Sequence, residues 1–166
     1  MGNTSVSVDR AFRLDDLVIR LNHRTPPGMD EERAQRVEEI VFTAFLGERR
    51  GIGHVTVARR WDIGPDEPFY GLFTDTRHDP PRPVPTVFYI DVDEEYQGKG
   101  VATTLLVHAD AYYKEHHDMP LYSSTNNPIP TEENNHFGAG LLWESLERKG
   151  LVKEIGYAGH RRWRFY

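Results

Sequence analysis

Apolar residues along the chain fall into short alternating runs and longer stretches at helical spacing, and each run predicts an element. Alternation around Val6 and Val8, then Phe12, Leu14, Leu17, Ile19 and Leu21, predicts one or two strands broken by Asp15-Asp16. After Thr25-Pro26-Pro27-Gly28, Asp30 reads as an N-cap with Glu31 and Glu32 in the first turn. Ala34, Val37, Ile40, Val41, Ala44 and Phe45 follow at helical spacing. They predict a helix from about Asp30 to Leu46 that stops at Gly47. His54 to Arg60 alternates through Val55 and Val57, Gly64-Pro65-Asp66 marks a turn, and Phe69 to Thr74 reads as a second short strand. The two are expected to pair antiparallel.

Four prolines between Asp75 and Pro85 exclude regular structure there, and Val87-Phe88-Tyr89-Ile90-Asp91-Val92 is a strongly β-prone run. Gly100 to His117 predicts a long one-sided helix with Val101, Leu105, Leu106, Ala109 and Tyr112 inward. Leu121 to Thr125 is a compact strand and Asn126 to Asn135 a polar loop. Phe137 to Lys149 is a helix with Leu141, Leu142 and Leu146 inward, stopped by Gly150. Leu151 to Tyr157 and His160 to Tyr166 flank a turn near Ala158-Gly159 as a closing pair of strands.

Length and composition narrow the function classes. The 166 residues suit one domain, residues 1–166, with a hydrophobic core of its own. The net charge is -6 and the basic residues are scattered except for Arg161, Arg162 and Arg164, so no nucleic-acid partner is expected. The absence of cysteine removes disulfides and thiolate chemistry. No apolar run approaches the roughly 20 residues of a membrane span. Met1-Gly2-Asn3-Thr4-Ser5-Val6 fits neither a secretory leader nor a myristoylation signal, so a cytoplasmic location without membrane association is expected. The eight histidines are spread or, at His116-His117, point apart on a helix, so no metal is expected. Trp143 and Trp163 fit a core better than a pocket wall.

The chemistry-bearing segment is Gln97-Gly98-Lys99-Gly100-Val101-Ala102, a glycine turn between a strand and a helix. A helix start leaves several N–H groups unpaired and favours negative charge. Glycine lets an anion approach the backbone, and Lys99 can reach it from the rim, so the expected guest is a pyrophosphate. A Walker A loop needs a glycine five positions before the Gly-Lys pair. A dinucleotide fingerprint needs a third glycine where Thr103 stands. Neither pattern is met.

Gln97-x-x-Gly100-x-Ala102 at the end of a strand is similar to the [QR]-x-x-G-x-[GA] acetyl-CoA signature of the GCN5-related N-acetyltransferase (GNAT) superfamily, and Leu142-Trp143-Glu144-Ser145-Leu146 with Gly150-Leu151-Val152 resembles its second motif. The resemblance covers about residues 84 to 157. It implies a mixed α/β (α+β) fold whose mostly antiparallel sheet is flanked by helices. That sheet is splayed between the motif strand (about 86–92) and the next strand (about 121–125). It further implies acetyl transfer from acetyl-CoA to an amine of a small molecule, peptide or protein, directly in a ternary complex. Gln97, Gly98, Lys99, Gly100, Val101, Ala102 and Thr103 would hold the pyrophosphate. The exposed amides of Ile90 and Val92 would hold the pantetheine and polarise the acetyl carbonyl.

The chain departs from the family where catalysis is concerned. Many members place an acidic Tyr one turn before the helix-ending glycine, and here that place is Leu146, or Leu142 if the helix is longer. A common family Asn falls on Ala139, with Asn135 serving only in a longer helix. For the general base the candidates are Asp91, Asp93, Glu94 and, across the splay, Tyr122 or Ser123, with Asp91 and Tyr122 foremost. Asp93, Glu94 and Glu95 also fit a solvated acidic loop. The acidic Asp66, Glu67, Asp75 and Asp79 would suit a cationic acceptor. A non-catalytic acyl-CoA-binding module of the same fold is the alternative reading, and monomer and homodimer both stay open.

Overall fold

The computed structural model describes residues 12–47, 51–124, 139–156 and 161–166. Val6, Val8, Asn126 to Asn135, Phe137 and the turn at Ala158-Gly159 lie outside the described residues. A single 3-10 turn, Leu14–Asp16, precedes β1 (Leu17–His23), as the break at Asp15-Asp16 predicts. β2 (Val37–Leu46), β3 (Gly51–Arg60) and β6 (Thr86–Val92) continue the sheet. β7 (Tyr122–Ser123), β9 (Trp163–Phe165) and β8 (Val152–Glu154) complete it in the order β1-β2-β3-β6-β7-β9-β8. Every pair is antiparallel except β6 with β7. The fold is the mixed, mostly antiparallel sheet with flanking helices that the resemblance implies.

The helix expected over 30–46 is a correction. Asp30 does cap a helix, its carboxylate accepting from Arg33 N at 2.8 Å, but that helix, α1, spans only Glu31–Ala34. From Val37 the chain is strand β2, and Ile40, Phe42 and Ala44 are fully buried at period 2. Val37, Ile40, Val41 and Thr43 are β-branched, and β1 and β3 pair on either side of them, so tertiary pairing overrides an apolar spacing that also fitted a helix.

The pairing of 54–60 with 69–74 is also corrected. β3 lies between β2 and β6, while Tyr70–Phe73 forms a helical turn, α2, that packs Leu72 and Phe73 against Ala58 and Ile63. Thr74–Asp75 (β4) then meets Arg82–Pro83 (β5) in a separate two-stranded ladder, which corrects the expectation of no regular structure between Asp75 and Pro85: a two-residue edge strand tolerates a proline.

Helix α3 (Val101–His117) covers one face of the sheet with Leu105, Leu106, Ala109 and Tyr113 fully buried against Phe42, Val55, Val57 and Ile90. Each of the two leucines contributes about 1.5–3 kcal/mol of burial. Helix α4 (Ala139–Arg148) adds Trp143 and Leu146 to the same core. Trp143 stacks on Trp163 at 6.5 Å, which places both rings in the core. Leu141 is 66% exposed rather than inward, because the buried stripe of α4 runs through Trp143 and Leu146. Among the described residues no helix is long and apolar enough to cross a membrane.

Candidate functional site

Strand β6 is paired along its whole length on one side only. It forms a parallel ladder with β7 at Thr86↔Tyr122 and Val87↔Ser123, and beyond Val87 that edge has no ladder partner among the described residues. The opposite edge stays on β3 as far as Val92, with Phe88 as an extra residue between Val87↔Val57 and Tyr89↔Thr56. Asp93 N–H donates to Ile52 O at 2.8 Å. Backbone groups alternate sides along a strand, so Ile90 and Val92 turn theirs toward the open edge. Their side chains face the α3 core.

At the end of β6 the chain makes a 3-10 turn, Glu94–Tyr96, and then two left-handed steps, Gly98 at φ 72° and Gly100 at φ 88°. Both conformations favour glycine. The Gln97 side-chain amide donates to Val92 O at 3.0 Å, occupying the carbonyl that faces the open edge and closing the loop on itself. Gly100 N-caps α3 without a side-chain cap, and the first helical bond runs from Thr104 N to Gly100 O, so the N–H groups of Val101, Ala102 and Thr103 stay outside the helix ladder. An added Cβ at Gly98 meets nothing within 4 Å, whereas one at Gly100 meets Leu14 Cδ1 at 3.2 Å. Val101 is buried in the core and offers the site only its backbone. Lys99 Nζ lies 5.8 Å from the Phe12 ring and 5.7 Å from the Tyr96 ring, at the rim of the loop.

The face opposite α3 carries polar chemistry. Asp91 stands directly across from His54 in the β3/β6 ladder, and the His54 ring lies 5.2 Å from that of Tyr89. Tyr122 sits on the same face, one rung before the Val87↔Ser123 pair at which β6 and β7 part. Its hydroxyl donates to Asp75 Oδ2 at 2.7 Å. Burial, then the bond to Asp75, push the Tyr122 phenol above its usual range, so it stays protonated at neutral pH. Burial pushes the Asp75 carboxyl up, but the Tyr122 and Arg77 bonds and the Arg162 charge outweigh it and hold it below the ordinary value. Fully buried Arg162 fastens this corner, donating to Ser123 O, Gly71 O, Thr74 O, Leu72 O and Thr86 Oγ1.

The loop residues Gln97 to Thr103, with Ile90 and Val92, thus converge on one continuous backbone surface, and Asp91 and Tyr122 share the sheet face behind it. Ser123 is buried, its hydroxyl donating to Ser124 O and accepting from Trp163 N. Glu94 and Glu95 are exposed on the turn. Asn135 lies outside the described residues. Leu146, where a family Tyr is common, is fully buried in the core. His54 escaped the sequence reading. Its outward phase in the Val55-Val57 alternation was visible, but the pairing that sets it across from Asp91 was not. Asp75, one of the acids expected to suit a cationic acceptor, is instead Tyr122's partner. A further cavity of about 270 Å³ beside Asp62 is lined by Pro27, Gly28, Met29, Asp30, Arg33, Arg60 and Phe69.

Comparison with known proteins agrees with the fold. Solved structures of similar fold include a mutant of the AtaT toxin bound to the C-terminus of the antitoxin AtaR, with 15% identity over 91% of this chain and 92% of that one, TM-score 0.51. Its counterpart that also holds acetyl-CoA has 15% identity over 91% and 93%, TM-score 0.50. The KacTA–DNA complex has 13% identity over 90% and 92%, TM-score 0.50. No curated protein matches the sequence. The profile of the acetyltransferase (GNAT) family matches residues 11–128, the span that runs from the turn before β1 through the loop, α3 and β7. The chain belongs to the GNAT family of acetyltransferases.

Proposed function

We propose that the chain transfers an acetyl group from acetyl-CoA to an amine, directly and in a ternary complex. The observation that carries this reading is the continuity of two backbone surfaces: the uncapped start of α3 at Gly98 to Thr103 and the open edge of β6 at Ile90 and Val92. The first suits a pyrophosphate and the second an amide-bearing pantetheine. Gln97 serves by closing the loop on Val92 O, and Lys99 supplies rim charge. A fold neighbour, the AtaT toxin mutant, holds acetyl-CoA, which supports this donor.

In the reaction the amine lone pair attacks the thioester carbonyl, whose developing negative charge falls to the β6 amides. The C–S bond breaks, CoA leaves as its thiolate, and the nitrogen loses a proton. Asp91, with His54 across the ladder, is the base on the acceptor face. Tyr122 keeps its proton and serves only as a donor. These groups and the held geometry account for catalysis without a metal.

One observation favours the alternative, a non-catalytic acyl-CoA-binding module: the apolar Leu146 at the family's acid position. Thermal melts with acetyl-CoA, followed by thiol release with amines and peptides, separate the two. A rise in Tm together with amine-dependent thiol release is expected. No rise at saturating acetyl-CoA overturns both readings, and a rise with no release from any acceptor favours the module.

A further inference from the structure

The corner where β7 leaves β6 gathers three arginines, Arg82, Arg162 and Arg164, from three separate segments of the chain. Arg82 stands opposite Asp75 in the β4/β5 ladder, Arg164 stands opposite Tyr122 in the β7/β9 ladder, and the Tyr122–Asp75 hydrogen bond joins the two pairs. Residues opposite one another in antiparallel strands project to the same side at close range, so Arg82 projects to the side of Asp75 and Arg164 to the side of Tyr122. Asp75 is already satisfied by Tyr122 and by the Arg77 N–H, and Arg164 lies against the Tyr122 hydroxyl. The Nε–H groups of Arg82 and Arg164 are both buried and have no acceptor among the described residues. Arg162, whose charge lowers the Asp75 carboxyl, is itself committed to backbone carbonyls and Thr86 Oγ1. Buried, unanswered guanidinium donors are costly unless an anion answers them.

We propose that Arg82 and Arg164 form an oxyanion-binding subsite that holds a carboxylate or phosphate on the acceptor. This deepens the proposed acetyl transfer and rests on that reading. Tyr122 stands opposite Thr86 at the narrow end of the splay, on the face of Asp91 and His54, and Ile90 lies four residues beyond Thr86 along β6. The anion and the reacting amine are therefore separated by up to roughly 13 Å at strand rise. An ω-amino acid or a short peptide with a free C-terminus fits this span. The cationic acceptor suggested by the acidic loops does not draw on Asp75, whose carboxylate is committed here.

The test uses the full chain and two readouts. In 15N–1H spectra of arginine Nε–H groups, assigned with Arg82→Gln and Arg164→Gln, both signals are expected to move saturably on titration with acetate or with inorganic phosphate. The stronger binder identifies the carboxylate or the phosphate source. In thiol-release assays, 6-aminohexanoate is expected to exceed 6-aminohexanamide, or O-phosphoethanolamine to exceed ethanolamine, by about ten-fold in kcat/KM. Either substitution should erase that preference through KM and leave the Kd for acetyl-CoA unchanged. If neither Nε signal responds to either anion while acetyl-CoA still raises Tm, the subsite is overturned and the transfer reading stands. If the anions bind and acetyl-CoA does not, the subsite stands and the transfer reading fails.

Discussion

Gly98 offers the cleanest perturbation of the loop, because a side chain there enters open space. Its φ of 72° is a conformation that Asn and Asp tolerate better than other L-residues, so either replacement costs on the order of 1 kcal/mol of strain. Gly98→Asn and Gly98→Asp are nearly isosteric and differ by one negative charge. With a pyrophosphate on the loop amides, that charge lies roughly 6 Å from it, and each pair of unit charges repels by about 0.7 kcal/mol in water or about 3 kcal/mol at an effective dielectric of 20. Two phosphate charges on an exposed loop bring the difference to about 1.5–3 kcal/mol, or about ten- to a hundred-fold in Kd. Calorimetric titration with acetyl-CoA should show Asp weaker than Asn by that factor at low salt. The gap should shrink as the screening length falls from about 30 Å at 0.01 M to about 8 Å at 0.15 M. Equal affinities at low salt, with equal melting temperatures, would refute the loop as the phosphate site. Gly100→Asp is less discriminating, since its Cβ also meets Leu14.

Three other outcomes follow from the geometry. Replacing Arg162 by Met strips donors from four carbonyls, those of Gly71, Leu72, Thr74 and Ser123, and should cost about 3–5 kcal/mol in urea unfolding. An unchanged midpoint would show that α2 and β7 hold together without it. Gln97→Leu removes the bond to Val92 O, and about 1 kcal/mol of stability should go with it. The Kd for acetyl-CoA should rise with little change in the amine's KM, and a normal Kd would make the bond incidental. At Asp62, burial raises the carboxyl, but the Arg60 and Arg33 bonds prevail and its folded value is lowered. Its contribution is therefore present above the unfolded pKa of about 3.9 and is lost as pH falls through the lower folded value. Asp62→Asn should flatten the acid limb of Tm against pH, and an unaltered limb would mean the pair adds no net stability.

The glycine loop was legible in the sequence because its chemistry is local: strand end, left-handed glycines and helix start are consecutive residues, and each constrains the next. Helix α3 was legible for the same reason, its buried stripe lying within one element. The stretch 37–46 was not. Its apolar residues satisfy helical and strand spacing together, and the choice falls to β1 and β3, which the stretch itself does not contain. The same limit governs the acceptor side. Asp91 stands inside a legible β run, yet its neighbour His54 is set by a cross-strand register, and the Arg82–Asp75–Tyr122–Arg164 grouping requires two separate ladders and the hydrogen bond that joins them. A donor site built on backbone amides at one turn leaves a compact signature. An acceptor site built from side chains on several strands leaves only scattered charged residues, indistinguishable in sequence from a polar surface. This asymmetry follows from how the fold divides its work. In the proposed reaction the amides of one loop would suffice for a phosphate group common to the donor, whereas discrimination among amines would require side chains brought together from distant parts of the chain.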